Sequence, residues 1–239
     1  MDKFDLDFDF FWDLIDRGIN FTFTRYADGE VMLMRGEEVN AATQAARVDN
    51  WMAPAKLTRV GRELLTTLNH KESNYYYGIS GKNDNVEDFL FLINNIKQTG
   101  DTISFVNLWI NANYNRMLKK ICSLKRKVVL ICNEIAEIDN IPFPVSDLIR
   151  FPNSCIDFWE TNADEYTSML IDKVGNLEDQ LFFISCGPVS EIIIHRLYEN
   201  NPKNTYVDVG SSIDFFVHGR ETRPYMNSNS EYSKAKSIF

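Results

Sequence analysis

The sequence predicts a single-domain, Rossmann-like α/β sandwich with a mainly parallel sheet flanked by helices. Three observations lead there. Several short runs, such as Val128-Val129-Leu130-Ile131-Cys132 and Leu181-Phe182-Phe183-Ile184, are apolar throughout, as strands are when both faces of a parallel sheet are covered. Segments of ten or more residues with helical spacing separate these runs. No Pro/Gly/Ser-rich linker and no internal repeat divides the 239 residues.

In chain order, residues 1–20 form an amphipathic segment with Phe8, Phe11, Trp12 and Ile15 near helical spacing, a stripe suited to capping the core of its own domain. A strand is expected over 21–25, followed by a turn at 27–30 and the apolar run 31–34. A helix over 55–69 places Leu57, Val60, Leu64 and Leu68 on one face. Tyr75-Tyr76-Tyr77-Gly78-Ile79 reads as a strand. Helix 86–97 leads to strand 102–106, and helix 113–123 to strand 128–132. A helix over 164–174, a strand at 181–185, a helix at 189–200 and a strand at 205–209 complete the pattern. The domain is expected to span 21–224, and the polar, turn-rich residues 225–239 read as a loosely held tail.

Composition narrows the function. Hydrophobic residues make up 44% and charged residues 25%, which fits a globular chain and excludes a disordered or fibrous one. With 25 Lys and Arg against 34 Asp and Glu the net charge is −9, so broad binding of nucleic acid or of anionic lipid is not expected. An anionic ligand must be met locally, by a metal, a few cations or a helix N-terminus. The four cysteines form no CxxC pair and read as reduced thiols. The acidic and aromatic start lacks the pattern of a signal peptide, and no run of 18 apolar residues occurs. The expected location is the cytoplasm, at most peripheral to a membrane.

In open α/β sheets ligands bind beyond the carboxyl ends of the strands, and those positions are unusually polar here. Arg25, Asp28 and Glu30 follow the first strand, and Asn107 and Asn133 follow middle strands. Ser185-Cys186-Gly187-Pro188 and Asp208-Val209-Gly210-Ser211 follow late ones. Asp28 and Glu30 flank a glycine, so both carboxylates can aim at one hard cation such as Mg²⁺ or Mn²⁺. The plainer alternative is that Asp28 caps a helix and Glu30 favours its first turn. Arg25 can clamp a phosphate or simply pair with Asp28. Gly187 permits close backbone approach and Pro188 suits a first helical position, so this turn either receives a phosphate or only joins strand to helix. Cys186 as a nucleophile would need a base, and the histidines are His70, His195 and His218. Asp208, Ser211 and Asp214 can contact a sugar or ribose.

As a set, these residues resemble a known family. Arg25-Tyr26-Ala27-Asp28-Gly29-Glu30 with Gly36 is similar to the R-[FY]-G-D-G-E…G opening of the GT-D-fold glycosyltransferases. The loops at Asn107, Asn133, Phe151-Pro152-Asn153, Ser185-Cys186-Gly187-Pro188 and Asp208-Val209-Gly210 follow that family's order over roughly residues 20–218. The resemblance implies a Rossmann-like fold, a nucleotide-sugar donor such as a UDP-sugar, and a glycan acceptor. It also implies a divalent metal, Mn²⁺ or Mg²⁺, at Asp28 and Glu30. Arg25, Asn107, Ser185, Gly187, Pro188, Asp208, Gly210 and Ser211 are then expected to bind substrate. Asp28, Glu30 and Asp214 are the catalytic candidates; the acceptor's base is Glu30, Asp208 or Asp214, and Asp214 is preferred because a Glu30 that holds metal is a poor base. Ala27 replaces the family's glycine, the loop after Asn133 is short, and the segment after Gly210 departs from the usual ending. Two rival readings are an S-adenosylmethionine-dependent methyltransferase using Asp208-Val209-Gly210 and a non-catalytic nucleotide or glycan-binding module.

Overall fold

The computed structural model describes residues 2–40, 51–98 and 100–239. Among these residues seven strands form one sheet in which every pairing is parallel: β1 (Thr22–Tyr26), β2 (Tyr75–Ile79), β3 (Ile103–Phe105), β4 (Val128–Asn133), β5 (Val145–Phe151), β6 (Leu181–Ser185) and β7 (Thr205–Asp208). Their order across the sheet is β3-β2-β1-β7-β6-β4-β5. The predicted α/β class is the observed one.

Helices cover both faces. α1 (Lys3–Arg17) is capped by Asp2, whose side chain accepts from Asp5 N, and ends at Gly18 in the left-handed region that favours glycine. Its stripe of Phe8, Phe11, Trp12 and Ile15 is buried as expected. It packs on one face of the sheet with α5 (Tyr114–Ser123), tied by Lys120 to Asp16 at 2.9 Å and by Arg116 to Asp5 at 3.2 Å. The other face carries α2 (Asp28–Arg35), α3 (Arg59–Thr67), α4 (Val86–Asn95), α6 (Cys155–Val174) and α7 (Ser190–Asn200). Alternation within the inner strands feeds both cores: Val129 and Ile131 point one way, Val128, Leu130 and Cys132 the other. α2 and α3 cross closely because Gly61 has no side chain; a Cβ there would lie 2.2 Å from the Leu33 carbonyl oxygen.

Several expectations need correction. Thr58 starts α3 by accepting from Gly61 N, so Leu57 precedes the helix and is 41% exposed instead of lying on its apolar face. α6 begins nine residues earlier than its predicted start at 164, with Trp159 and Ala163 in the core. β5 was not foreseen: it pairs only with β4 and leaves Ser146 and Arg150 exposed, so no apolar run marks it. The segment 225–239, expected to be loose, lies against the body. Phe239 stacks on Phe105 at 4.1 Å, Lys82 N donates to Ile238 O at 2.8 Å, and Tyr225 is buried. Two aromatic anchors outweigh its polar composition.

The three histidines divide. His70 and His195, 125 residues apart, hydrogen-bond ring to ring at 2.7 Å, flanked by Glu72 and Glu199. One ring nitrogen must accept, so the contact is lost when both rings are protonated. Burial lowers both pKa values, with the flanking glutamates opposing it. Because the folded values lie below the unfolded value of about 6.5, protons favour the unfolded chain. This contribution to stability is therefore full above about pH 6.5 and shrinks as the pH falls through it. Urea midpoints measured from about pH 7.5 down to about 5.5 should fall less steeply in His195→Gln than in the parent; parallel slopes would refute this.

Candidate active site

The segment after β1 turns to one face as α2, and the segment after β7 turns to the other as a 3₁₀ turn, Gly210–Ile213, and the short α8 (Asp214–His218). Because β1 and β7 are neighbours, their carboxyl ends open a crevice of the kind that takes ligands in doubly wound sheets.

Arg25 occupies this crevice. Its Nε donates to Asp208 Oδ2 at 2.9 Å and Nη1 donates to Val106 O at 2.9 Å. Nη2 has no acceptor among the described residues and rests against Gly210. Burial works against the guanidinium charge, but the Asp208 charge and hydrogen bond more than offset it and raise the pKa. Asp208 Oδ1 accepts from Gly210 N at 2.8 Å, Ser185 Oγ donates to Gly210 O at 3.0 Å, and Trp109 Nε1 donates to Asp208 O at 3.0 Å. Gly210 adopts φ +46, and a Cβ on it would fall 1.6 Å from Arg25 Nη2. Four predicted residues from three strand ends, Arg25, Ser185, Asp208 and Gly210, thus meet at one point.

The others are distributed around it. Ala27 N donates to Glu30 Oε2 at 2.8 Å, so Glu30 caps α2 and Asp28, weighed as the cap, is instead its first residue, with an exposed side chain. Ala27 has φ −92, an extended conformation that alanine adopts freely, so the glycine of the resembled pattern is not required. Arg25 pairs with Asp208 and not with Asp28. Ser211 accepts from Tyr225 Oη at 2.8 Å. Asp214 is buried, accepts from Thr222 Oγ1 at 2.8 Å and lies 3.6 Å from Arg223; burial raises its pKa, with Arg223 and Thr222 opposing. Asn107 follows the Val106 carbonyl that Arg25 holds, and its side chain reaches Ser237 of the C-terminal segment at 3.4 Å. Gly187, at φ +57, is exposed, whereas Pro188 is buried; Ser190 Oγ takes the Cys186 N–H at 2.8 Å.

Two solved structures match nearly the whole chain. One is described as the highly conserved domain of unknown function 1792 with a distinct glycosyltransferase fold, the other as a selenomethionine-substituted structure of that domain. Each aligns at a TM-score of 0.56 and 14% identity, over 95% of this chain and 87% of the other. The chain has that glycosyltransferase fold. No family model matches it, and no curated protein does.

Within this fold, Cys186 is not a nucleophile: it is buried with Sγ against Ile131 O, and burial pushes its thiol pKa well up. A surface cleft of about 780 Å³ lined by His70, Glu72, His195 and Tyr198 lies at the opposite edge of the sheet, before β2 and at the end of α7. It holds none of the predicted residues, so the strand-end crevice is the better candidate site. Sequence reasoning missed Glu191, in the first turn of α7, which is 1% exposed and close to Asp208. Its signal was a lone charge just before Ile192-Ile193-Ile194, an apolar stretch that had to be buried. Among the described residues no three His, Cys, Asp or Glu side chains converge as a metal site, and no helix is long and apolar enough to cross a membrane.

Proposed function

We propose that the chain is a glycosyltransferase moving a sugar from a nucleotide-diphosphate donor to a glycan acceptor. The observation that carries this reading is the Arg25 guanidinium, held by Asp208 and Val106 at the β1–β7 crevice of a glycosyltransferase fold with Nη2 left for an anion. Sugar transfer builds negative charge on the departing diphosphate, and a fixed, partly buried guanidinium stabilises that charge without reorganising. Ser185, Gly187 and Ser211 border the same loops and suit the remaining polar groups of the donor.

A divalent cation, Mn²⁺ or Mg²⁺, fits as an accessory. Asp28 offers an exposed carboxylate at the start of α2, whereas Glu30 already gives an oxygen to Ala27 N. One carboxylate with diphosphate and water oxygens is a common arrangement for Mg²⁺, and it would add Lewis-acid stabilisation of the leaving group. Asp214 is our candidate for the acceptor's base: its raised proton affinity suits that role, and Thr222 orients it.

The test is thermal denaturation with UDP, GDP, CMP and dTDP, each with and without Mn²⁺. A binding nucleotide at a hundredfold excess over Kd should stabilise the chain by about 2.7 kcal/mol. Asp28→Ala should lose the Mn²⁺-dependent part of that shift while keeping its unliganded Tm. A shift with S-adenosylhomocysteine and none with any nucleotide would overturn the proposal.

A further inference from the structure

Glu191 is a buried carboxyl group with too few donors. It is 1% exposed, and its Oε2 has no hydrogen-bond partner among the described residues. Among the described residues, the groups that act on it or feel its charge are Asp208 from β7, Arg25 and Tyr26 from β1, Glu30 from α2 and Tyr75 from β2. Arg25, the cation of this set, already gives Nε to Asp208 and Nη1 to Val106. An ionised Glu191 would therefore be a second buried negative charge sharing a cation that Asp208 has taken.

Asp208 is within hydrogen-bonding reach of Glu191, whereas Glu30 acts on it by charge alone. Two ionised carboxylates only accept, so they meet stably by sharing one proton. That proton has a preferred owner. Asp208 receives Arg25 Nε on one oxygen and Gly210 N on the other, so both of its oxygens already act as acceptors. Among the described residues Glu191 has one donor, its own backbone N–H, against two on Asp208.

We propose that Glu191 carries the shared proton and donates it to Asp208, thereby positioning the Asp208–Arg25 pair that faces the crevice. It is a positioning residue that acts through Asp208 and Arg25. Burial, followed by the charges of Asp208 and Glu30, pushes its carboxyl well above the usual range, in agreement with the geometry. Its use in donor binding rests on the function proposed above; its proton and its hold on Arg25 do not.

The experiment compares the parent with Glu191→Gln, which is neutral and still donates an N–H, and Glu191→Leu, which is neutral and cannot. Infrared difference spectra at neutral pH should show a protonated carboxylic-acid band in the parent that is absent from Glu191→Gln. The NMR signal of the Arg25 Nε–H, assigned with Arg25→Lys, should stay protected from exchange in Glu191→Gln and exchange at least about tenfold faster in Glu191→Leu. With UDP and Mn²⁺ as probe, parent affinity should fall at alkaline pH as the proton is lost, while Glu191→Gln stays flat. Absence of the band, or equal Arg25 exchange in all three proteins, overturns the inference. If the band and the exchange pattern hold while no variant binds UDP, GDP, CMP or dTDP, the donor assignment fails and the positioning role stands.

Discussion

Replacing Arg25 by methionine should destabilise the protein by about 3–5 kcal/mol and remove nucleotide binding with it. Its side chain is 13% exposed and that of Asp208 4%, so the ion pair lies largely out of water. Methionine leaves the carboxylate without its cation, beside a second buried carboxyl on Glu191 and with the Val106 carbonyl unpaired. Arg25→Lys should be intermediate, because one ammonium cannot reproduce the fork that reaches both Asp208 and Val106. Urea unfolding gives the stabilities. A loss below about 1 kcal/mol in Arg25→Met would mean that Asp208 finds another partner or takes up a proton.

Gly210→Ala should separate function from stability. At φ +46 an alanine costs about 1–2 kcal/mol of backbone strain. Its Cβ would also overlap Arg25 Nη2 at 1.6 Å, forcing the guanidinium from its place. Binding of UDP should therefore fall at least as far as in Arg25→Lys. Gly219→Ala is the control, since that glycine has φ +67 but nothing within 4 Å of a Cβ. It should show similar strain and unchanged affinity. Equal affinity losses in the two variants would show that backbone strain, and not the displaced Arg25, governs binding.

Where the sequence was legible, one local rule sufficed. β4 and β6 stand inside the sheet, and their burial on both faces appears as the apolar runs 128–132 and 181–184. β5 stands at the edge with one strand neighbour, and its solvent-facing residues broke the run that would have marked it. The tail misled for a related reason: average polarity concealed Tyr225 and Phe239, each of which finds its contact only in the folded chain.

The candidate site divides the same way. Arg25, Ser185, Asp208 and Gly210 were identifiable singly because polar residues after apolar strands are exceptional. That Arg25 would choose Asp208, 183 residues away, over Asp28 three residues away was not. The choice follows from the parallel pairing of β1 with β7, which sets the two side chains side by side in a partly dry crevice. The role of Glu30 was open between cation and cap, and the α2 geometry gave one of its oxygens to Ala27 N. Glu191 could be noticed as a charge among isoleucines, but its neighbour Asp208 comes from another strand and was invisible in the chain order.

The layered α/β class and most of the polar groups at the strand ends were readable from the sequence. Hydrophobic periodicity is a local property and survives without coordinates. Tertiary structure alone decided which charges pair, which glycine makes room for Arg25 and which carboxyl is left buried beside another. Those outcomes depend on distances between distant segments and on the water excluded when they meet.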